Sequence, residues 1–151
     1  MHDLSDPAVH RRVRMLTAGG ADVQLAGFRR TDVVPREIAG CEVTDLGQTR
    51  DGALLARIGS VATAGMNLHR LDQVVRGSQV VLARNLEMLY LAAKARRRYA
   101  TSAPLIYECL DIHRLLLGKT LPSRLLRAME KRLVRDVDLI LTSSPRFVSE
   151  Y

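Results

Sequence analysis

Three polar side chains suited to binding hydroxyl groups follow one short apolar segment: Glu108, Asp111 and His113. They come after an uncharged run at residues 104–107, which begins with proline and is typical of a buried parallel strand. In an open α/β sheet, ligands bind where the strands end at their carboxyl side. We therefore expect residues 103–113 to form a core strand that delivers polar groups to a functional edge.

The rest of the chain predicts more strands of the same kind, alternating with helices. Strands are predicted at residues 21–28, 41–46, 79–83 and 137–141. A helix begins at Pro7 with Asp6 as its N-cap, a second spans 86–99, and a third begins at Pro122 with Leu125, Met129 and Leu133 on its buried face. This alternation predicts βαβ units in a Rossmann-like α/β fold, a doubly wound parallel sheet with helices on both faces.

In that topology all strand-to-helix turns lie at one edge of the sheet. Arg84 and Asn85 directly follow the strand at 79–83, and Ser143 and Ser144 follow the last strand. We expect these residues to line one crevice together with residues 108–113.

Length and composition limit the alternatives. A chain of 151 residues with 47% hydrophobic content predicts one globular domain. The net charge of +7 favours anionic partners, although the excess of arginine over lysine is also what a GC-rich genome produces. Cys41 and Cys109 are expected to be small buried residues of a reducing compartment. No stretch has transmembrane length and no signal region is visible, so a cytoplasmic location is expected.

Both ends of the chain depart from the pattern of a doubly wound sheet. The helix that begins after Asp6 has no predicted strand before it, and the helix signal after Ser144 is followed by only a few residues. We expect a single domain over residues 1–151, truncated at both ends and lacking its first strand.

Four segments resemble one enzyme family in order and spacing. They are DPAVHRRVRMLTAGGADVQL at 6–25, VVLARN at 80–85, LIYECLDIH at 105–113 and DVDLILTSSPRFVSEY at 136–151. Together they are similar to the N-terminal domain of GT-B glycosyltransferases of the family-4 type. These enzymes have two Rossmann-like domains, of which the first mostly binds the acceptor and the second mostly binds the nucleotide-sugar.

The resemblance implies an acceptor-binding domain of a hexosyltransferase that transfers a sugar from a nucleotide-sugar to a hydroxyl acceptor, either a polysaccharide or a lipid-linked intermediate. His113 matches a family histidine that faces the cleft and helps to place the transferred sugar. The donor would bind through a C-terminal domain absent from this chain, so the isolated chain is expected to be inactive. The family implies neither a metal nor a cofactor.

Each candidate residue also has a structural interpretation. His113 can pack or cap at a helix N-terminus, and Asp111 can be the N-cap of a helix beginning at Ile112. Glu108 can bind an acceptor hydroxyl or pair with an arginine of a neighbouring loop. Arg84 suits a phosphate and Asn85 a sugar hydroxyl, but both can serve solvation and capping.

Asp6 is the weakest substrate-binding candidate, since it already has a capping role.

Two other functions stay open at this stage. One is a basic α/β module that binds nucleic acid, although the few aromatic residues and the lack of a recognisable motif lead us to expect no nucleic-acid partner. The other is a gene fragment without a function of its own. Residues 114–135 carry seven Lys or Arg and one Glu, which fits either a peripheral contact with the anionic inner membrane or an ordinary arginine-rich surface.

Overall fold

The computed structural model describes residues 1–49, 68–99, 102–110 and 120–144. The chain forms two compact units, Met1–Arg76 and Gly77–Tyr151, each of which has its own sheet. The sequence also predicts a mostly helical region at residues 50–77, a helix at 112–117 and a final helix after Ser144. Of these, only residues 68–77 are among the described residues. The interpretation of residues 1–151 as one truncated domain, with a donor-binding domain beyond it, stays a prediction.

The first unit opens with helix α1 (Pro7–Ala18), whose start follows from local chemistry. A carboxylate oxygen of Asp6 accepts a hydrogen bond from the Ala8 amide at 2.8 Å, and Pro7 occupies the first turn. Val9 and Val13 are buried one turn apart and pack in a core with Leu4 and Leu25.

Three strands form the sheet of this unit: β1 (Leu25–Arg29), β2 (Glu37–Ile38) and β3 (Cys41–Gln48). The central strand β3 pairs with β1 in parallel and with β2 in the antiparallel direction. A two-residue turn joins β2 to β3, with φ of 52° at Ala39 and 84° at Gly40. Strand β2 is not predicted from the sequence, because a strand of two residues has no periodicity to detect.

The first residues of the chain lie beside β1. The Met1 amino group donates to the Ala26 carbonyl, the Phe28 amide donates to the Met1 carbonyl at 3.0 Å, and the Leu4 amide donates to the Phe28 carbonyl at 2.8 Å. This is the sequence of bonds of a parallel pairing with one extra residue. As predicted, no strand precedes α1, but the first residues of the chain bond to the backbone of β1.

A short 3₁₀ helix (Leu68–Leu71) leads into the one-turn helix α2 (Asp72–Val75), and both bury apolar side chains. The described part of the first unit ends with Arg76, which forms an exposed ion pair with Asp72 at 2.8 Å.

The second unit contains a parallel sheet of β4 (Val81–Arg84), β5 (Leu105–Cys109) and β6 (Leu139–Thr142), in that order. Helix α3 (Leu86–Tyr99) connects β4 to β5, and helix α4 (Leu121–Val134) precedes β6. The two helices contact each other, and α3 packs on β4 and β5. The predicted α/β class is confirmed: the molecule has a parallel sheet flanked by helices, as in a Rossmann-like half domain.

The prediction for the buried face of α4 is wrong at two positions. Leu125 is 64% exposed and Met129 is 37% exposed, whereas Ser123 is 1% exposed. Leu126, Glu130, Leu133 and Val134 are half-buried. The helix has two apolar stripes, and the one beside Ser123 is turned inward, so periodicity alone selected the wrong stripe.

Among the helices of the four described ranges, none is both long enough and apolar enough to cross a bilayer.

Candidate functional site

The carboxyl-terminal edge of the β4–β5–β6 sheet gathers most of the predicted site residues. Because the three strands are parallel and in register, Arg84 lies opposite Glu108, and Cys109 lies opposite Thr142. Asn85 comes directly after β4, and Ser143 and Ser144 come directly after β6. The order of strands therefore places these residues at one edge, as the topology predicted.

Arg84 and Glu108 form a buried ion pair with each other. The Arg84 Nε donates to Glu108 Oε2 at 2.7 Å, and the two residues are 2% and 0% exposed. A charge-assisted bond of this length between neighbouring strands holds their ends at a fixed separation. Of the two interpretations of Glu108, the geometry supports pairing with an arginine, which here ends the neighbouring strand.

Asn85 makes the tight turn from β4 into α3. Its φ is 68°, in the left-handed region that asparagine tolerates better than most residues. Its amide donates to the Glu108 carbonyl at 3.1 Å, and its carbonyl accepts from the Leu89 amide at 3.0 Å, the first turn of the helix. Asn85 thus forms the turn between β4 and α3 and also bonds to the backbone of β5.

Ser143, directly after β6, bonds to the same segment from the other side. The Ser143 hydroxyl donates to the Leu110 carbonyl at 2.8 Å, and the Thr142 hydroxyl donates to the Ser144 carbonyl at 3.2 Å. Ser143 is nonetheless exposed, and Ser144 is half-buried. The backbone of residues 108–110 is therefore bonded on one flank by Asn85 and on the other by Ser143.

Three predicted site residues are not part of this cluster. Asp111 and His113 lie outside the described residues, directly after the anchored segment. Asp6 belongs to the first unit, where its carboxylate caps α1 as its alternative interpretation proposed. Within the described ranges, no group of three His, Cys, Asp or Glu side chains is arranged to hold a metal ion.

A second charged cluster, which was not predicted from the sequence, lies at the opposite edge of the same sheet. Arg96 donates to the Asp136 carbonyl at 2.8 Å and contacts the Asp138 carboxylate at 3.3 Å. Asp138 also accepts from the Leu105 amide at 2.7 Å, and Arg97 pairs with Asp136. These groups line a cavity of about 310 Å³.

The arginines Arg96 and Arg97 belong to the basic end of α3, a segment that by sequence looks like a solvated helix end. An aspartate directly before a strand, as at Asp138, is the sequence signal that could have indicated a partner for them. The cluster ties the starts of β5 and β6 to the end of α3, so its chemistry is that of a structural ion network.

Comparison with known proteins relates the chain to a protein of polysaccharide biosynthesis. No family model matches the chain. The chain is 50% identical over 149 residues to the succinoglycan biosynthesis protein ExoL of Rhizobium meliloti (strain 1021). The match covers 99% of this chain and 37% of the length of ExoL, so the chain corresponds to a little over a third of that protein.

Proposed function

We propose that this chain is the acceptor-binding part of a glycosyltransferase of polysaccharide biosynthesis. The observation that carries the proposal is the 50% identity to ExoL over 149 residues, since the name of that protein refers to the biosynthesis of a polysaccharide. The parallel sheet with polar residues at its carboxyl edge supports it, because that edge is where α/β folds bind ligands.

In the proposed reaction, the intact enzyme takes a hexose from a nucleotide-sugar. The bond between the anomeric carbon and the diphosphate oxygen breaks, and its electron pair leaves with the nucleoside diphosphate. The acceptor oxygen forms the new bond to that carbon, and its proton is released to the solvent. Donor binding belongs to a second domain of a GT-B enzyme, and this chain contributes acceptor binding and alignment, which lower the barrier by fixing the reacting groups in line.

The described contacts suggest different roles for the residues at the edge. Arg84, Asn85 and Ser143 bond to the side chain or backbone of residues 108–110. They are positioning residues, since they fix the segment that leads to Asp111 and His113. We assign substrate contact to those two residues and to Ser144, with His113 as the group beside the transferred sugar.

A chimera tests the proposal in the context of a complete protein. Residues 1–151 replace the matching third of ExoL, and the chimera is expressed in a Rhizobium meliloti strain that lacks ExoL. We expect secreted succinoglycan to be restored, as measured by sugar analysis of the culture supernatant. A chimera that accumulates in folded form but restores no succinoglycan contradicts the proposal.

Substitutions in the chimera test the site. We expect His113→Ala to lower sugar transfer by about 100-fold or more, the scale of loss when reacting groups are misplaced. His69→Ala is the matched control, because His69 is an exposed histidine of the first unit. Equal rates for the two variants would remove His113 from the site.

The isolated chain is expected to transfer no sugar. Purified residues 1–151, incubated with radiolabelled nucleotide-sugars and membranes as the acceptor source, should leave the acceptor unlabelled, and turnover by the chain alone would contradict the assignment of donor binding to another domain.

A further inference from the structure

Helix α4 exposes a stripe of large apolar side chains. Leu121 is 68% exposed, Leu125 is 64% exposed and Met129 is 37% exposed. They are spaced four residues apart and therefore form one line along the helix. Single exposed leucines are common on protein surfaces, but three large apolar side chains in line form a continuous patch.

Basic residues lie beside this stripe on the same exposed surface. Around the helix axis, Arg124 and Lys131 lie about one-sixth and just over one-fifth of a turn from Leu121, and Arg127 lies about one-third of a turn from it. All three are exposed, as are Arg132 and Arg135. Within α4, four cations and one acid give a net charge of +3.

The single acid of α4 is turned away from this surface. Glu130 is half-buried and accepts a hydrogen bond from the Tyr107 hydroxyl of β5 at 3.3 Å. Ser123, on the same side, is buried and bonds to Thr120 at the start of the helix. The only acid of α4 and its buried serine thus lie on the inward side of the helix. The exposed side consists mainly of large apolar side chains and cations.

We propose that α4 docks on an anionic lipid surface. The helix would lie in the plane of the membrane, with the Leu121–Leu125–Met129 stripe in the interfacial region and the cations on the headgroups, the arrangement typical of basic amphipathic helices. Its 14 residues span about 21 Å. The proposal does not depend on sugar transfer, and it extends the proposed function by giving the enzyme a location at its acceptor.

Charge decides among the possible occupants of the stripe. In a dimer formed through this stripe, two α4 helices with a net charge of +3 each would face each other, and each whole chain has a net charge of +7. Like charges at close range oppose such self-association. An anionic membrane instead complements the cations and accepts the leucines.

Vesicle flotation of residues 1–151 tests the proposal. We expect the chain to bind vesicles of phosphatidylglycerol and phosphatidylcholine and to stay unbound with pure phosphatidylcholine. Arg124→Gln/Lys131→Gln should weaken binding roughly 30-fold, because each basic residue near the surface contributes about a factor of five. The matched control is Arg11→Gln/Arg14→Gln, two exposed arginines of α1, which should change binding little.

The apolar contribution is tested in the same way. Leu121→Ser/Leu125→Ser should weaken binding about ten-fold or more. Val33→Ser/Val34→Ser, which changes two exposed valines of the first unit, is the control. Far-UV circular dichroism of each variant shows that a loss of binding is not a loss of fold.

A fluorescent reporter gives an independent reading, since the chain has no tryptophan. Leu125→Trp should shift its emission to the blue with anionic vesicles, and Val34→Trp should not. The proposal is overturned by equal binding to neutral vesicles, by no binding of the parent chain, by equal losses in the control variants, or by a dimer that the leucine substitutions abolish. None of these assays contains a sugar, so their outcome is separate from that of the chimera.

Discussion

The ion pair between Arg84 and Glu108 predicts a large difference between single and double substitutions. At the 2.7 Å separation of the bonded atoms, Coulomb's law with an effective dielectric constant of about 20 gives roughly 6 kcal/mol of attraction. Desolvation of the two ions offsets most of this, at several kcal/mol for each ion. The pair is therefore close to neutral for stability, whereas either charge alone at this position is strongly unfavourable.

The perturbations are Arg84→Met, Glu108→Leu and their combination. Each single variant removes the ion-pair partner at 2.7 Å from the buried charge that remains, and we expect a loss of about 3–5 kcal/mol in the free energy of unfolding. The double variant replaces the pair by apolar side chains of similar volume, and its stability should lie within about 1 kcal/mol of the parent or above it.

Arg76→Met is the matched control for Arg84→Met. Arg76 pairs with Asp72 at 2.8 Å, close to the distance in the buried pair, but the two side chains are 67% and 33% exposed. Solvent screens an exposed pair, so we expect a loss of less than about 1 kcal/mol. The comparison isolates the effect of burial from the effect of distance.

Urea unfolding followed by circular dichroism measures the free energies, and hydrogen exchange over residues 105–109 reports on β5 itself. Because the chain has two compact units, the exchange measurement identifies which unit a substitution destabilises. A loss below about 1 kcal/mol for Glu108→Leu, or a double variant no more stable than the single ones, would refute the argument from burial.

Substitutions at three further positions test the backbone, each by urea unfolding. Asn85→Gly should leave stability nearly unchanged, whereas Asn85→Val should lose about 1–2 kcal/mol, since φ is 68° there; equal effects would contradict the turn geometry. Ala39→Asn should stabilise the β2–β3 turn by up to about 1 kcal/mol because asparagine tolerates a φ of 52° better than alanine, and no gain would count against that turn. Gly27→Ala places a Cβ 2.5 Å from the Met1 carbonyl oxygen. We therefore expect the free energy of unfolding to fall by about 1–3 kcal/mol and the Phe28 amide to exchange faster. An unchanged exchange rate would contradict this expectation.

The elements that the sequence predicted well are those with local signals. The range 86–99 predicted for α3 matches the observed Leu86–Tyr99, and Asp6 and Pro7 mark the start of α1 as expected. Parallel strands such as β5 are short apolar runs, which sequence identifies within two or three residues. Such features depend on neighbours in the chain, so no knowledge of the packing is needed.

The orientation of α4 could not be predicted, because it depends on packing against another element. Its sequence contains two apolar stripes, and both satisfy helical periodicity. Tyr107 on β5 bonds to Glu130, which lies on the side of Leu126 and Leu133. The choice of buried stripe follows from that tertiary contact, and the sequence of the helix alone does not contain it.

The candidate site also has features that the sequence predicts and features that depend on packing. Topology alone predicted that Arg84, Glu108 and Ser143 would share an edge, since every parallel strand ends on that side. It could not predict that Arg84 and Glu108 are opposite each other in register, because register depends on the alignment of the two strands.

The register of β4 and β5 affects which side chains at this edge are available to bind a substrate. A carboxylate at the end of β5 can be a hydroxyl ligand as long as its neighbour is unknown, but here Oε2 of Glu108 accepts a hydrogen bond from Arg84 Nε at 2.7 Å, so this oxygen already has a protein donor. Ser143 likewise directs its hydroxyl at the Leu110 carbonyl. The side chains at the ends of β4 and β6 thus bond to β5 and the residue after it. We therefore expect the substrate-binding side chains to follow residue 110 in the chain, and Asp111 and His113 are the residues to substitute first.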